Sequence, residues 1–377
     1  MRQKYDKKLK NGGFMAVKIK VLHIVGPAIK GGVESVVFTY SKALKDSVEP
    51  TFVFTDNSTH IPEDFIKEIG GHYFVIPYVK HLGMFKKGLK KILTENKYDI
   101  VHSHMNTLSV FALKVAKQCG YPIRIAHSHS QSNKKEFVRN IIKNVLKKFS
   151  KKYATTFLAC GENAGRYQFG DKTFDEGKVF VLRNAINVDR FVFNKDDRNR
   201  IRQELNIKDD EILVGTIGRL CQQKNHQFLL KIAELLPEVK FVILGAGPLE
   251  EENKQFIKEH NLQNVIMYGI SHEAYRFYSA FDAFILPSLY EGLPVTGVEA
   301  QTNGVFSIFS DQVSKEAQVS SYLKFLPIED KDLNLWVEEL KVKHEHEDHL
   351  DEVIKFGFSI KESSKDLLKL YQSLLEK

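Results

Sequence analysis

Cysteine is scarce in this sequence, and long apolar segments are missing from it. The 377 residues include three cysteines, Cys119, Cys160 and Cys221, none of them in a C-x-x-C pair. Three widely spaced thiols rule out a disulfide framework and predict a cytoplasmic protein. No apolar run approaches the roughly 18 residues of a membrane span. Because no apolar stretch follows the basic N-terminus, we expect no signal peptide.

The composition is that of an ordinary globular protein. Hydrophobic residues make up 43% and charged residues 27% of the chain, and about 150 residues per domain predicts two domains. Residues 1–16 precede the first apolar run and include a second methionine, Met15. We interpret them as a leader outside the domains, either disordered or the product of an upstream start codon.

Positive charge is concentrated in the first half of the chain. Residues 1–200 carry 36 basic and 18 acidic side chains, residues 201–377 carry 19 and 29, and the net charge is +8. This division indicates two domains with different partners, and the basic half suits nucleic acid or an anionic membrane. Because the sequence has no RRM, helix-turn-helix or zinc pattern, we expect no nucleic-acid partner.

Short apolar runs alternate with longer amphipathic stretches in both halves of the chain. Apolar runs of four to six residues indicate strands buried on both faces of a parallel sheet. The predicted fold class is therefore α/β, with two doubly wound, Rossmann-like domains and a cleft between them. We place the domains at 17–190 and 191–357, followed by an amphipathic helix at 358–377. The predicted strands are 18–25, 51–55, 73–77, 99–104, 123–127, 156–160, 178–182, 212–218, 239–245, 264–269, 283–287 and 305–310.

Ligands of such sheets bind beyond the carboxyl ends of the strands, so the residues there are site candidates. Gly31 and Gly32 follow the first strand, where they suit either anion binding at a helix N-terminus or a plain tight turn. H-S-H-M-N (102–106) and A-H-S-H-S (126–130) end two later strands. No cysteine or clear carboxylate ligand accompanies these histidines, so polar groups lining a cleft are favoured over a zinc site. One histidine of each pair is interpreted as structural.

Two segments of the second half suit a nucleotide ligand. Arg219 and Lys224 follow a strand in G-T-I-G-R-L-C-Q-Q-K, where they could bind a diphosphate or form a solvated surface pair. Glu291 and Glu299 lie eight residues apart in S-L-Y-E-G-L-P-V-T-G-V-E-A. They could accept hydrogen bonds from the hydroxyls of a ribose and a sugar, or be unrelated surface glutamates. The turn L-G-A-G-P-L (244–249) is a weaker indication.

These motifs together resemble a known family. G-R-L-x-x-x-K, L-G-A-G-P-L and P-S-L-Y-E-G-L-P with a second glutamate resemble the retaining glycosyltransferases of family 4, which have the GT-B fold. G-G-V-E, H-S-H, A-H-S-H and V-L-R-N-A-I-N resemble the branch that acts in bacterial capsule or exopolysaccharide assembly. The resemblance covers residues 17–376. It implies that the final helix crosses back onto the N-terminal domain.

The resemblance implies a role for each candidate of the second half. Arg219 and Lys224 would bind the donor diphosphate. Glu299 would bind the nucleotide ribose, and Glu291 would contact the transferred sugar beside the reacting face as a catalytic residue. Gly297 departs from the family pattern, and a glycine within a helix costs about 1 kcal/mol relative to alanine.

Further implied roles involve backbone groups and histidines. Gly292 and Leu293 would hold sugar or phosphate through their backbone, and Gly31 and Gly32 would approach the diphosphate. His127 matches the active-site histidine of the family and would be catalytic. A second histidine, His104, would be a candidate on the acceptor side.

The implied reaction transfers a sugar, with retention, from a nucleotide diphosphate sugar such as a UDP-sugar to a hydroxyl of a lipid-linked glycan. We expect no metal cofactor, because Arg219, Lys224 and helix N-termini would stabilise the leaving diphosphate. The D-x-D at Asp330–Asp332 is interpreted as solvated surface. Two alternatives stay open: another GT-B enzyme such as a sugar-nucleotide epimerase, or an inactive membrane-bound subunit of a polysaccharide assembly complex.

Two basic amphipathic stretches could explain the excess positive charge. Residues 82–96 and 134–150 interleave lysines with apolar residues. Each alone suits an ordinary helix with an inward apolar face, but two in one domain favour peripheral contact with an anionic membrane. The predicted location is the cytoplasm, with the inner face of the cell membrane as the surface contacted.

Overall fold

The structure is a computed structural model that describes residues 6–8, 14–29, 32–129, 146–147, 149 and 151–376. The chain forms two compact units, Met1–Ala185 with Ile360–Lys377, and Ile186–Ser359. The sequence prediction had put the division at 190/191 and the start of the final helix at 358. Within the described residues, no helix is both long and apolar enough to cross a bilayer.

The first unit is built on a parallel sheet of seven strands. Their spatial order is β5-β4-β3-β6-β7-β8-β9, so the chain reverses direction across the sheet between β3 and β6. The strands are β3 (Ile19–Gly26), β4 (Val48–Thr55), β5 (His72–Ile76), β6 (Ile100–Ser103), β7 (Arg124–Ser128), β8 (Thr156–Ala159) and β9 (Val179–Val181). Every residue of β6 is buried, as expected for a strand covered on both faces.

Helices cover this sheet, and one of them comes from the end of the sequence. They are α1 (Gly32–Ala43), α2 (Glu63–Glu68), α3 (Leu82–Glu95), α4 (Ser109–Gln118), α5 (Glu162–Phe169), α6 (Asp171–Asp175) and α14 (Ile360–Leu375). Leu367 and Tyr371 of α14 are buried in the core with Ile19 and Val21 of β3. Within the predicted leader, β1 (Asp6–Lys8) pairs antiparallel with β2 (Phe14–Ala16).

The second unit repeats this plan with six parallel strands in the order β12-β11-β10-β13-β14-β15. They are β10 (Leu213–Ile217), β11 (Lys240–Leu244), β12 (Val265–Gly269), β13 (Ala283–Leu286), β14 (Phe306–Ser310) and β15 (Leu323–Leu326). The helices are α7 (Lys195–Glu204), α8 (His226–Leu235), α9 (Glu250–Glu259), α10 (Ala274–Ala280), α11 (Val295–Asn303), α12 (Leu333–Leu340) and α13 (Leu350–Lys355). The order reverses between β10 and β13, and ligands of open α/β sheets bind at such a switch point.

A buried ion cluster fixes the two strands at this switch point. Asp282 is fully buried and pairs with Arg198 at 2.6 Å and with Arg202 at 3.1 Å. Its second carboxylate oxygen also accepts a hydrogen bond from the backbone N–H of Leu213, at the start of β10. Because an isolated buried charge is costly, these contacts hold α7, β10 and the start of β13 together.

Candidate active site

Lys224 and Glu291 form an ion pair at the switch point of the second unit. Lys224 ends a short 3₁₀ helix, Gln222–Lys224, that follows β10, and Glu291 follows β13. The Lys224 Nζ lies 2.8 Å from the Glu291 Oε1, and their side chains are only 16% and 12% exposed. The backbone N–H of Leu289 donates to the Gln223 carbonyl oxygen at 2.8 Å, which ties the two loops together.

Glycines allow the loops after β10 and β11 to approach closely. A Cβ atom on Gly245 would lie 1.9 Å from the carbonyl oxygen of Gly218, and its φ of +135° also favours glycine. A Cβ on Gly247 would lie 2.3 Å from the carbonyl oxygen of Leu220. The L-G-A-G-P-L turn is therefore a steric requirement for packing against the loop that leads to Lys224.

Glu299 lies in α11, and it accepts a hydrogen bond from Tyr278. The Tyr278 hydroxyl donates to the Glu299 Oε2 at 2.6 Å. Burial raises the pKa of the Glu299 carboxyl, whereas this bond and the charges of Arg190 and Lys224 act in the opposite direction. Tyr278, in α10, was not among the predicted site residues. Its contact joins positions 21 residues apart, which no local motif reports.

The glycine inside α11 has a packing reason. A Cβ on Gly297 would lie 2.6 Å from the Phe309 ring in β14, so any larger residue would force that ring to move. The helix begins at Val295, and Pro294 is the residue that precedes it. The loss of helix propensity at Gly297 is thus offset by close contact between α11 and β14.

The other candidates of the second unit are more accessible. Arg219 is exposed and, among the residues that the structure describes, has no hydrogen-bond or ion-pair partner. Gly292 is exposed and Leu293 is half-buried, directly before α11. The structure therefore pairs Lys224 with Glu291, and it leaves Arg219 open to solvent.

In the first unit, five histidines gather on three neighbouring strands. His102 lies in β6 and His104 directly follows it, while His127 lies in β7 and His129 directly follows that strand, as the two H-x-H motifs indicated. The fifth, His23 of β3, was missed because a single histidine within an apolar run carries no motif. Burial lowers the pKa of His23 and His129 to about 3, and burial with neighbouring rings lowers the pKa of the other three well below its usual value.

The rings form two hydrogen-bonded rows. In one, His23 Nδ1 lies 3.0 Å from His104 Nε2, and His104 Nδ1 lies 2.9 Å from His129 Nε2. In the other, His102 Nε2 lies 3.2 Å from His127 Nδ1. Among the described residues, His127 Nε2 and His129 Nδ1 are buried without a hydrogen-bond partner. His104 is buried inside the first row, between two other rings.

Two histidine sets have ring nitrogens close enough to hold a metal ion. They are His23, His102 and His104, and His104, His127 and His129, with the ligand atoms within 4.8 Å of one another. Neither set includes a carboxylate or a thiolate, and all five rings of the two rows already use nitrogens in mutual hydrogen bonds. The two carboxylates of the D-x-D motif also have partners within the chain. Asp330 pairs with Lys231 at 2.7 Å, and Asp332 caps its own 3₁₀ turn.

The glycine-rich loop after β3 is described only in part. Gly31 lies outside the described residues. Gly32 is exposed at the start of α1, and a Cβ placed on it would meet nothing within 4 Å. Glu34 is buried in the first turn and accepts a hydrogen bond from the Ile29 N–H at 2.7 Å. This bond was not predicted, and it holds the loop against α1.

A cavity of about 780 Å³ lies at the amino ends of strands in the first sheet, away from the carboxyl ends that carry the histidines. It is lined by residues from the starts of strands, among them Lys20, Glu49 and His72. Because parallel α/β sheets bind ligands at their carboxyl ends, this cavity is not a donor-site candidate.

Comparison with known proteins agrees with this geometry. Sequence models of two families match, "Glycosyltransferase Family 4" over residues 30–190 and "Glycosyl transferases group 1" over residues 197–326. The putative glycosyltransferase EpsF of Bacillus subtilis is 30% identical over 330 residues, covering 85% of this chain and 86% of EpsF. The UDP-Gal:alpha-D-GlcNAc-diphosphoundecaprenol alpha-1,3-galactosyltransferase of Escherichia coli is 26% identical, covering 86% of this chain and 87% of that enzyme.

Solved structures bear on the fold. HepE of Anabaena, crystallised in complex with UDP, superposes with a TM-score of 0.75 at 15% identity, covering 94% of this chain and all of HepE. At that identity the match concerns the architecture of two parallel-sheet units, which is the GT-B fold. Together with the identity to EpsF across most of both chains, it leads to one conclusion: the chain is a glycosyltransferase and belongs to family 4.

Proposed function

We propose that the protein transfers a sugar, with retention of anomeric configuration, from a UDP-sugar to a hydroxyl of a lipid-linked glycan in bacterial surface polysaccharide synthesis. The observation that carries the proposal is the pairing of Lys224 with Glu291 at the switch point, with Glu299 on the following helix. The acceptor is supported by the Escherichia coli relative, whose name specifies a diphosphoundecaprenol-linked substrate.

In this proposal Lys224 and Arg219 bind the donor diphosphate. Lys224 is held in place in the free protein by the Glu291 carboxylate, whereas Arg219 is free to turn toward an incoming anion. A fixed cation in a site with little water stabilises developing negative charge better than solvent does. This electrostatic contribution is the reason to expect that no metal cofactor is needed.

The two glutamates are proposed to bind hydroxyl groups. Glu299 would accept hydrogen bonds from the ribose, with its position set by Tyr278. Glu291 would contact the transferred sugar once the diphosphate draws Lys224 away from it, and backbone groups of Gly292 and Leu293 would complete the contact. His127, whose Nε2 has no hydrogen-bond partner among the described residues, would contact the substrate, and the glycine-rich loop would approach the phosphates. His104, predicted on the acceptor side, has both ring nitrogens bonded to His23 and His129, so it would support that row and not contact the acceptor directly.

The ribose contact is tested by Glu299→Gln. Glutamine can still accept the Tyr278 hydrogen bond, so the helix is retained while the charge is lost. A hydrogen bond to a charged group contributes about 1.5–3 kcal/mol, so we expect UDP affinity to fall by about tenfold or more in calorimetric titration. Glu338→Gln, which alters an exposed glutamate of the same unit, serves as the control.

The unaltered protein and the Glu299→Gln variant are also used to identify the reaction catalysed. Release of nucleoside diphosphate is followed with UDP-, GDP- and ADP-sugars and a lipid-linked acceptor, and the anomeric configuration of the product is read by NMR. Release that requires the acceptor separates a transferase from an epimerase. The proposal fails if no donor is consumed, or if Glu299→Gln binds UDP as the unaltered chain does.

A peripheral location on the inner face of the membrane belongs to this proposal. Helix α3 buries Phe85 and Leu89 and exposes Lys87, Lys90 and Lys91, and Met84 is also 55% exposed. The second basic stretch, 134–150, lies almost entirely outside the described residues. Surface lysines near anionic lipid contribute about 1 kcal/mol each.

Replacing Lys87, Lys90 and Lys91 with glutamine should therefore weaken binding to vesicles of anionic lipid at low salt by tenfold or more. Sedimentation with vesicles measures the effect. The control replaces Lys361, Lys365 and Lys369 of α14, which are basic residues of the same unit. Equal binding by the two triple variants would reject α3 as the membrane surface.

A further inference from the structure

A tyrosine and two histidines form a row through the core of the first unit. The Tyr371 hydroxyl on α14 lies 2.8 Å from His102 Nδ1, and His102 Nε2 lies 3.2 Å from His127 Nδ1. All three side chains are buried, with 2% exposure or less. At the far end, His127 Nε2 is buried and has no hydrogen-bond partner in the described part of the chain.

The hydroxyl sets the direction of this row. Its only hydrogen-bond partner among the described residues is His102. Either direction leaves one buried donor unpaired, the Tyr371 O–H or the His127 Nε2–H, so the strength of the bond between Tyr371 and His102 decides. A phenol O–H is a stronger donor than the N–H of a neutral imidazole, and a bare imidazole nitrogen is a stronger acceptor than a phenol oxygen. Tyr371 therefore donates its proton to the bond, and His102 Nδ1 accepts it.

The tautomers of both histidines follow from this donation. A neutral imidazole carries one proton, so His102, which accepts at Nδ1, carries its proton on Nε2 and donates it to His127. His127 then accepts at Nδ1 and carries its own proton on Nε2. We infer that Tyr371, acting through His102, is a positioning residue that holds His127 with Nε2 as a hydrogen-bond donor toward substrate.

The inference changes what His127 can do. A ring with its proton on the open nitrogen can donate to a sugar or phosphate oxygen, but it cannot accept a proton from an attacking hydroxyl. That His127 faces substrate at all rests on the proposed function, whereas its tautomer does not. The row formed by His23, His104 and His129 has no hydroxyl at an end among the described residues, so nothing comparable fixes its direction.

The tautomer can be measured without any substrate. Long-range ¹H–¹⁵N NMR of the full chain labelled in histidine, recorded at pH 8 with a chelator, distinguishes a protonated ring nitrogen from a bare one. We expect His127 to be protonated at Nε2 and bare at Nδ1 in the unaltered protein. In Tyr371→Phe the hydroxyl is gone, so His127 should show a mixture of both tautomers or the reversed one.

Tyr40→Phe is the matched control. Tyr40 is a buried tyrosine of the same unit, and its hydroxyl donates to the Arg183 carbonyl oxygen at 2.8 Å, away from the histidines. This variant should keep the His127 tautomer. A bare Nε2 in the unaltered protein, or the same tautomer in Tyr371→Phe, overturns the inference. Because no donor sugar is involved, the measurement decides it even if the proposed transfer reaction is not found.

Catalysis provides a second readout once the reaction is assayed. Tyr371→Phe should lower kcat about tenfold, whereas Tyr40→Phe should stay within twofold of the unaltered enzyme. Equal kcat values in the two variants would overturn the donor role of His127.

Discussion

Replacing Lys224 with methionine should lower kcat by a factor of 100 to 1,000, or about 2.7–4 kcal/mol in transition-state stabilisation. Methionine keeps most of the length and apolar packing of the lysine side chain and removes its charge. The charge matters because the leaving diphosphate gains negative charge as the glycosidic bond breaks. A fixed cation that is only 16% exposed stabilises that charge without first reorganising solvent.

The variant also leaves Glu291 without its partner, so stability must be measured beside activity. Trp336 is the single tryptophan and is buried in the second unit, and its fluorescence reports whether that unit stays folded. The double variant Lys224→Met/Glu291→Gln removes the unpaired carboxylate. If the unpaired carboxylate destabilises the second unit, the double variant should recover that stability, whereas kcat is judged on the single variant because Glu291 is itself placed at the transferred sugar.

Lys231→Met is the matched control for this experiment. Lys231 lies in α8, directly after the segment with Lys224, and it pairs with the exposed Asp330. An exposed ion pair contributes at most about 1 kcal/mol, so both stability and kcat should change little. A folded Lys224→Met enzyme with near-normal turnover would contradict the assignment of the diphosphate to this residue.

Acidification should unfold the first unit well before most carboxylates are protonated. The folded unit holds five histidines neutral, with the pKa of His23 and His129 lowered by burial to about 3. In the unfolded chain these histidines bind protons near pH 6.5. Below that pH the unfolded state therefore binds more protons than the folded state, and stability falls as pH decreases.

Each such histidine costs about 1.4 kcal/mol per pH unit once the pH is below 6 and above its folded pKa. Hydrogen exchange of peptides from β3, β6 and β7 between pH 8 and pH 5, corrected for intrinsic exchange, measures the effect. His23→Gln should reduce the change in stability with pH by the contribution of one histidine, about 1.4 kcal/mol per pH unit. His60→Gln, at an exposed position, should not reduce it. A flat stability profile over this range would contradict the prediction.

The positions of most strands along the sequence were predictable, because strands buried on both faces appear as local apolar runs. Apolar runs indicated strands β3 to β14, and the motif with Glu291 and Glu299 indicated the carboxyl end of β13, whereas β1 and β2 of the interpreted leader were not predicted. The last strand, β15, was missed. Its segment L-K-F-L lies at the edge of the sheet and is interrupted by the exposed Lys324, so it lacks the apolar run of a central strand.

The contacts between distant residues were not predictable. Tyr278 reaches Glu299 from another helix, and Tyr371 reaches His102 across 269 positions. Each tyrosine lies in an amphipathic helix where an aromatic residue suits core packing equally well. His23 likewise lies within an apolar strand, and its neighbours are known only once the sheet order is known.

The first unit is discontinuous in the sequence, since it needs residues 360–377 as well as residues before 186. Every residue of the second unit is therefore synthesised before Leu367 and Tyr371, which belong to the core of the first unit. Domains fold as units during synthesis, so the unit that is translated first is completed last. Until then the nascent first unit exposes the apolar surface of β3 that α14 later covers, and its histidine row lacks the hydroxyl that orients it.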